Sequence, residues 1–129
     1  MPLVTLNVRK PKSSEFKSAV FAAVHRALVG AGVPETDRFQ RVLELDADDF
    51  RFDPKYPDVR GSRDDDFVLI EILFSVGRSV KIKRKILDQI MSGLAQDPAL
   101  DPENVMVVFT ETHWENWAFA GGRQIHVSD

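Results

Sequence analysis

Polar and apolar residues alternate from the start of the chain. Leu3, Thr5 and Asn7 fall on one side of an extended segment and Val4, Leu6 and Val8 on the other, which is the period of a strand. Pro11 and Ser13 interrupt it. From Phe16 the spacing changes: Val20, Ala23, Val24, Ala27, Leu28 and Ala31 recur every three or four residues, predicting a helix with one buried stripe. Gly30, Gly32 and Pro34 stop that helix. A second strand is expected over 39–45. The stretch 46–66 is rich in Asp, Pro and Gly without any period and reads as a long loop. The pattern then recurs. Residues 67–76 are a dense apolar run, the strongest strand in the chain and a central one. Gly77 makes a turn and Ser79 can cap a helix, whose buried face is marked by Ile82, Ile86, Leu87, Ile90, Met91 and Leu94. Pro98 and Pro102 end this segment, and 105–110 is the fourth strand. The tail, 111–129, is irregular, with a short strand expected at 124–127.

The element order is therefore β-α-β, loop, β-α-β, and each unit calls for a right-handed parallel crossover. The fold class is α/β (α+β): two β-α-β units forming a four-stranded mixed sheet with two helices on one face. One domain spans 1–129, with pseudo-repeats at approximately 2–46 and 66–111 and a C-terminal tail at 112–129. The face without helices, rich in Val, Leu and Ile, would be bare in a monomer, so an oligomer with inward-facing sheets is expected. The ferredoxin-like split β-α-β has the same element order, and order alone does not separate the two.

Composition narrows the function. The 129 residues suffice for one domain with a core. A net charge of −3 argues against bulk nucleic-acid binding. The absence of cysteine excludes disulfides, thiolate chemistry and Cys-bound zinc. His25, His113 and His126 have no metal-site spacing, and "RDDDF" and "DADDF" fit no EF-hand loop. No metal and no cofactor are expected. No apolar run is long enough to cross a bilayer, and Lys10 and Lys12 come too early for a secretory leader. The expectation is a cytoplasmic protein with no nucleic-acid and no membrane partner.

Four places can carry chemistry. Val76-Gly77-Arg78-Ser79 joins the strongest strand to a helix, where backbone N–H groups attract anions and an arginine offers a forked donor; the plain alternative is a surface arginine after a turn. "TDRFQR" puts Asp37 and Arg38 at the entrance to the second strand, to position a water, pair with an arginine, or merely keep a loop polar. "HWENWAFAGG" holds both tryptophans with Phe119 close by, which suits a pocket wall, an intersubunit contact, or packing over the core. "KIKRK" reads as the solvated face of the second helix. Finally, loss of Met1 would leave Pro2 with a secondary amine at a strand start. A terminal amine has an ordinary pKa of about 7.7–8.0. A nearby arginine and partial burial both lower it, giving a general base near working pH. With Met1 attached that nitrogen is an amide and cannot act so.

Taken in order, "PLVTLNV", "GVPETDRFQ", "VGRS" and "ENWAFAGGR" resemble the tautomerase superfamily, and within it the malonate semialdehyde decarboxylase-like branch. The resemblance spans nearly the whole chain. It implies a trimer of two-β-α-β-unit subunits and catalysis by an amino-terminal proline on a small 2-oxo or enol carboxylic acid. By that resemblance Pro2 is the catalytic proline, Asp37 the carboxylate that holds or activates water, and Arg78 the arginine that binds the substrate carboxylate. Trp117 and Phe119 are pocket-wall aromatics. The branch carries a second arginine two residues before the first, where this chain has Val76. The implied activity is keto–enol tautomerisation; the alternatives are decarboxylase or hydratase activity, or a non-catalytic trimer that kept a ligand pocket.

Overall fold

The computed structural model describes residues 1–128. The chain runs β1 (Leu3–Arg9), α1 (Ser14–Gly30), β2 (Phe39–Leu45), β3 (Val68–Ser75), α2 (Val80–Gln96) and β4 (Val105–Thr112). The sheet order is β2-β1-β3-β4. β1 pairs with β2 in parallel, β3 with β4 in parallel, and β1 with β3 antiparallel. Each β-α-β unit thus joins directly hydrogen-bonded neighbours, with no strand inserted between them, which rules out the ferredoxin-like split arrangement.

Both helices begin on a serine. Ser13 Oγ accepts the Phe16 N–H at 3.0 Å and Ser79 Oγ the Ile82 N–H at 3.2 Å, satisfying donors that the first helical turn leaves free. α1 buries Val20, Ala23, Val24, Ala27 and Leu28; α2 buries Ile86, Ile90 and Leu94, while Ile82 in its first turn stays exposed. The helices touch at Gly93, where a Cβ would stand 3.1 Å from Ala23 Cβ. Glycine inside a helix costs about 1 kcal/mol against alanine, and here the missing methyl is what lets α1 approach. Val4, Leu6, Val8, Val68, Ile70, Ile72 and Phe74 face these stripes from the sheet and complete the core.

The opposite face differs from the sequence expectation. Alternation sends the Val and Ile positions of β1 and β3 to the helices. The bare face carries Leu3, Leu43, Leu69, Leu73, Met106 and Val108 instead, crossed by the polar row Arg41, Thr5, Glu71. Arg41 Nε donates to Thr5 Oγ1 at 2.9 Å. No strand forms at 124–127: Gly121 and Gly122 both take positive φ, the chain turns, and Val127 N–H bonds Gln124 O at 3.1 Å.

Candidate active site

Strand register gathers the candidate residues at one end of the bare face. Leu3 pairs with Phe39 on one side and Leu73 on the other, and Leu73 pairs with Thr110. Two residues outward on each strand, the same face carries Asp37, Met1, Ser75 and Thr112, with Ser75 and Thr112 still paired. Strand pairing of β1 stops at Leu3, and an ion pair holds the outer row: the Met1 amino group donates to Asp37 Oδ2. Asp37 is fixed by the short turn that ends the α1–β2 connection, where its N–H donates to Pro34 O at 3.0 Å.

Burial, first, and the positive charge of Arg78, second, pull the amino terminus down from its ordinary 8.0 to about 6; both disfavour the protonated form, while contact with Asp37 acts the other way. Arg78 reaches this position through Gly77, whose φ of 122° is a conformation other residues adopt only with strain. The half-buried guanidinium lies 4.4 Å from the centre of the Phe74 ring, and its Nη1 donates to Ser75 O at 3.2 Å. Burial lowers its pKa and Glu111 opposes that; the group stays charged.

A hollow of about 320 Å³ opens beside the amine, lined by Met1, Thr36, Asp37, Phe39, Phe119 and Ile125. An adjoining hollow of about 230 Å³ lies among Leu3, Phe39, Trp117 and Phe119. Phe39 and Phe119 wall both. The Trp117 and Phe119 rings stack with centres 5.7 Å apart and planes 14° apart.

The structure thus brings Asp37, Phe119, Trp117 and the N-terminal segment together. Pro2 is buried behind Met1, its nitrogen an amide. Arg78 lines neither hollow and acts on the amine by charge. Arg38 is turned away, into a separate hollow with His25 and Arg26. Sequence reasoning missed Phe39, Ile125 and Ser75. Phe39 was legible in principle, since it shares a face with Asp37 two residues earlier. Ile125 and Ser75 carry no local signal, because their places depend on the tail's path and on cross-strand register. Among the described residues, no three His, Asp or Glu side chains are grouped to hold a metal ion, and no helix is long and apolar enough to cross a membrane.

Comparison with known proteins bears on the family and the fold. The family model Tautomerase_2, described as a tautomerase enzyme, matches residues 37–120. The probable tautomerase YusQ of Bacillus subtilis (strain 168) is 25% identical over 124 residues, 95% of this chain and 96% of that protein. The crystal structure of the FG41 malonate semialdehyde decarboxylase inhibited by 3-bromopropiolate superposes with a TM-score of 0.85 at 26% identity, over 95% of this chain and 92% of that one. A fused 4-OT wild-type symmetric trimer superposes with a TM-score of 0.70 at 18% identity, over 94% of each chain.

Proposed function

The chain belongs to the tautomerase enzyme family, in the malonate semialdehyde decarboxylase-like branch of the superfamily, and from that premise we propose that, with Met1 removed, Pro2 is the general base and acid of a keto–enol tautomerase acting on a small 2-oxo or enol carboxylic acid. The observation that carries the reading is the N-terminal nitrogen held beside Asp37, within the field of Arg78, at the edge of an aromatic-walled hollow. Excision of Met1 moves the terminus one residue inward, to the buried Pro2, where burial and a nearby positive charge both favour the neutral amine. Neutral Pro2 takes a proton from the substrate carbon and returns it at the other end of the enol system. Arg78 binds the carboxylate as a fixed, forked donor, and Trp117 and Phe119 exclude water from the reacting carbons. The test is tautomerisation of phenylpyruvate by protein whose intact mass shows Met1 gone. Turnover supports the reading, and inert processed protein refutes it.

A second reading has its own observation. The Asp37 carboxylate lies against the N-terminal nitrogen, where it can orient a water for hydration or take part in decarboxylation, the activity for which the FG41 enzyme is named. Asp37→Asn separates the two. It leaves tautomerisation within about tenfold if Pro2 is the base, and abolishes hydration if Asp37 directs the water.

Arg78→Ala should lower kcat/KM by roughly 10–150-fold, mainly through KM, corresponding to about 1.5–3 kcal/mol for a hydrogen bond to a charged group. It should also move the rising limb of the pH–rate profile upward, because removing a positive neighbour lets the amine hold its proton to higher pH. Burial is the larger cause, so the limb should stay below the ordinary amine value. Unchanged kcat/KM would reduce Arg78 to a surface residue.

Assembly follows from the bare face. Phe39, Leu43, Met106 and Val108 are each more than a third exposed, on a face that a soluble monomer does not leave open. The fused 4-OT structure named above is a symmetric trimer. We expect three 14.6 kDa chains in one particle, with the Arg41–Glu71 row inside the interface. Sedimentation as a monomer at micromolar concentration would refute this.

A further inference from the structure

Ser75 ends β3 with no exposed surface, and its Oγ has no hydrogen-bond partner. A buried hydroxyl left unpaired is unfavourable, and a functional role is one explanation for such an orphan. Ser75 lies on the bare face, on the side of β1 opposite Asp37: continuing the β1–β3 register by two residues sets it across from Met1, as continuing the β1–β2 register sets Asp37 across from Met1. Its own carbonyl holds the Arg78 guanidinium. By that extension of the register Met1 stands between Ser75 and Asp37, and its removal opens space before the Pro2 nitrogen. A second buried donor without a partner, Trp117 Nε1, belongs to the adjoining hollow that Leu3 lines, so this end of the sheet has polar capacity that the protein itself leaves unused.

We infer that the Ser75 hydroxyl is a substrate contact: it donates to the keto oxygen of a 2-oxo acid whose carboxylate Arg78 binds. The inference rests on the tautomerase reading of the site. In the reaction Pro2 removes the proton from carbon, the C–H electron pair becomes the C=C bond, and the carbonyl pair moves onto oxygen. The Ser75 O–H stabilises that oxygen, and the proton on Pro2 passes to it to give the enol. The residue also sets specificity, since a carboxylate without a neighbouring oxygen leaves the hydroxyl unpaired.

The test uses binding as well as turnover, with the processed full chain. Phenylglyoxylate and phenylacetate share a ring and a carboxylate and differ at the keto carbon. Wild-type protein should bind phenylglyoxylate about tenfold more tightly. Ser75→Ala should abolish that preference, leave phenylacetate binding unchanged, and lower kcat for phenylpyruvate at least tenfold with little change in KM. Ser75→Cys, close in size with a weaker donor, should fall between. Survival of the keto preference and of kcat in both variants, with the wild type active, overturns the Ser75 inference and leaves the tautomerase reading standing. Failure of the wild type to bind either acid overturns both.

Discussion

Protein that retains Met1 will not tautomerise phenylpyruvate. Two effects act together. The Pro2 nitrogen is then a tertiary amide with no basicity, which removes a general base that contributes typically about 10²–10⁴-fold. Met1 itself fills the site, lining the hollow and closing an ion pair on Asp37. The Met1 amine, although its pKa is near 6, is no substitute. It is carried on a residue outside the sheet pairing and tied to Asp37, whereas Pro2 has its nitrogen direction fixed by the ring. Preparations with and without Met1, identified by intact mass and assayed side by side, should differ by at least about 10²-fold. Equal activity would mean that some other group moves the proton.

The second large effect concerns reaction type. Decarboxylation of malonate semialdehyde should be weak or absent while tautomerisation is measurable. Loss of carbon dioxide from a 3-oxo acid builds negative charge toward the carbonyl oxygen, and a second fixed cation beside the first stabilises it. By the family resemblance Val76 stands where the branch carries that cation, and removing one preorganised donor costs typically about 10²–10³ in rate. None of the other arginines lines either hollow beside the amine. Arg38 lines the hollow beside α1, Arg60 sits in the long loop with its backbone N–H on Glu103, and the Arg123 guanidinium folds over Gly121. One preparation assayed on both substrates decides the point. Efficient decarboxylation beside negligible tautomerisation would show that a single arginine suffices.

Much of this architecture is readable in the chain because it is local. The change of period at Phe16 and the cap at Ser79 depend on residues within a turn of each other, and the dense run 67–76 is equally local. Periodicity assigned β2 to the same seven residues that form it. Three things were not readable. Alternation divides a strand into two faces without saying which one meets the helices, so the Val and Ile positions were assigned to the bare face when they are the core. Direct parallel pairing of β1 with β2 was not distinguishable from the split arrangement, because both have one element order. And the row of Asp37, Met1, Ser75 and Thr112, just beyond the ends of the β1 pairings, brings together residues up to 111 positions apart. Local spacing contains no such information, and the family resemblance supplied Asp37 and Arg78 where spacing alone left them as loop polarity and a surface arginine. Ser75 had neither kind of signal and emerged only from register and burial.

The central claim is that a buried, neutral proline amine moves the proton. Titration of ¹⁵N-labelled Pro2 by NMR in the processed protein tests it most directly, alongside the pH dependence of kcat/KM for phenylpyruvate. A base that works when deprotonated gives a rate that rises with pH and levels off above its pKa. The account predicts an amine midpoint clearly below the ordinary value of about 8 and a rate limb with the same midpoint. A Pro2 amine that titrates at its ordinary value, or a rate limb that does not follow it, would contradict the account.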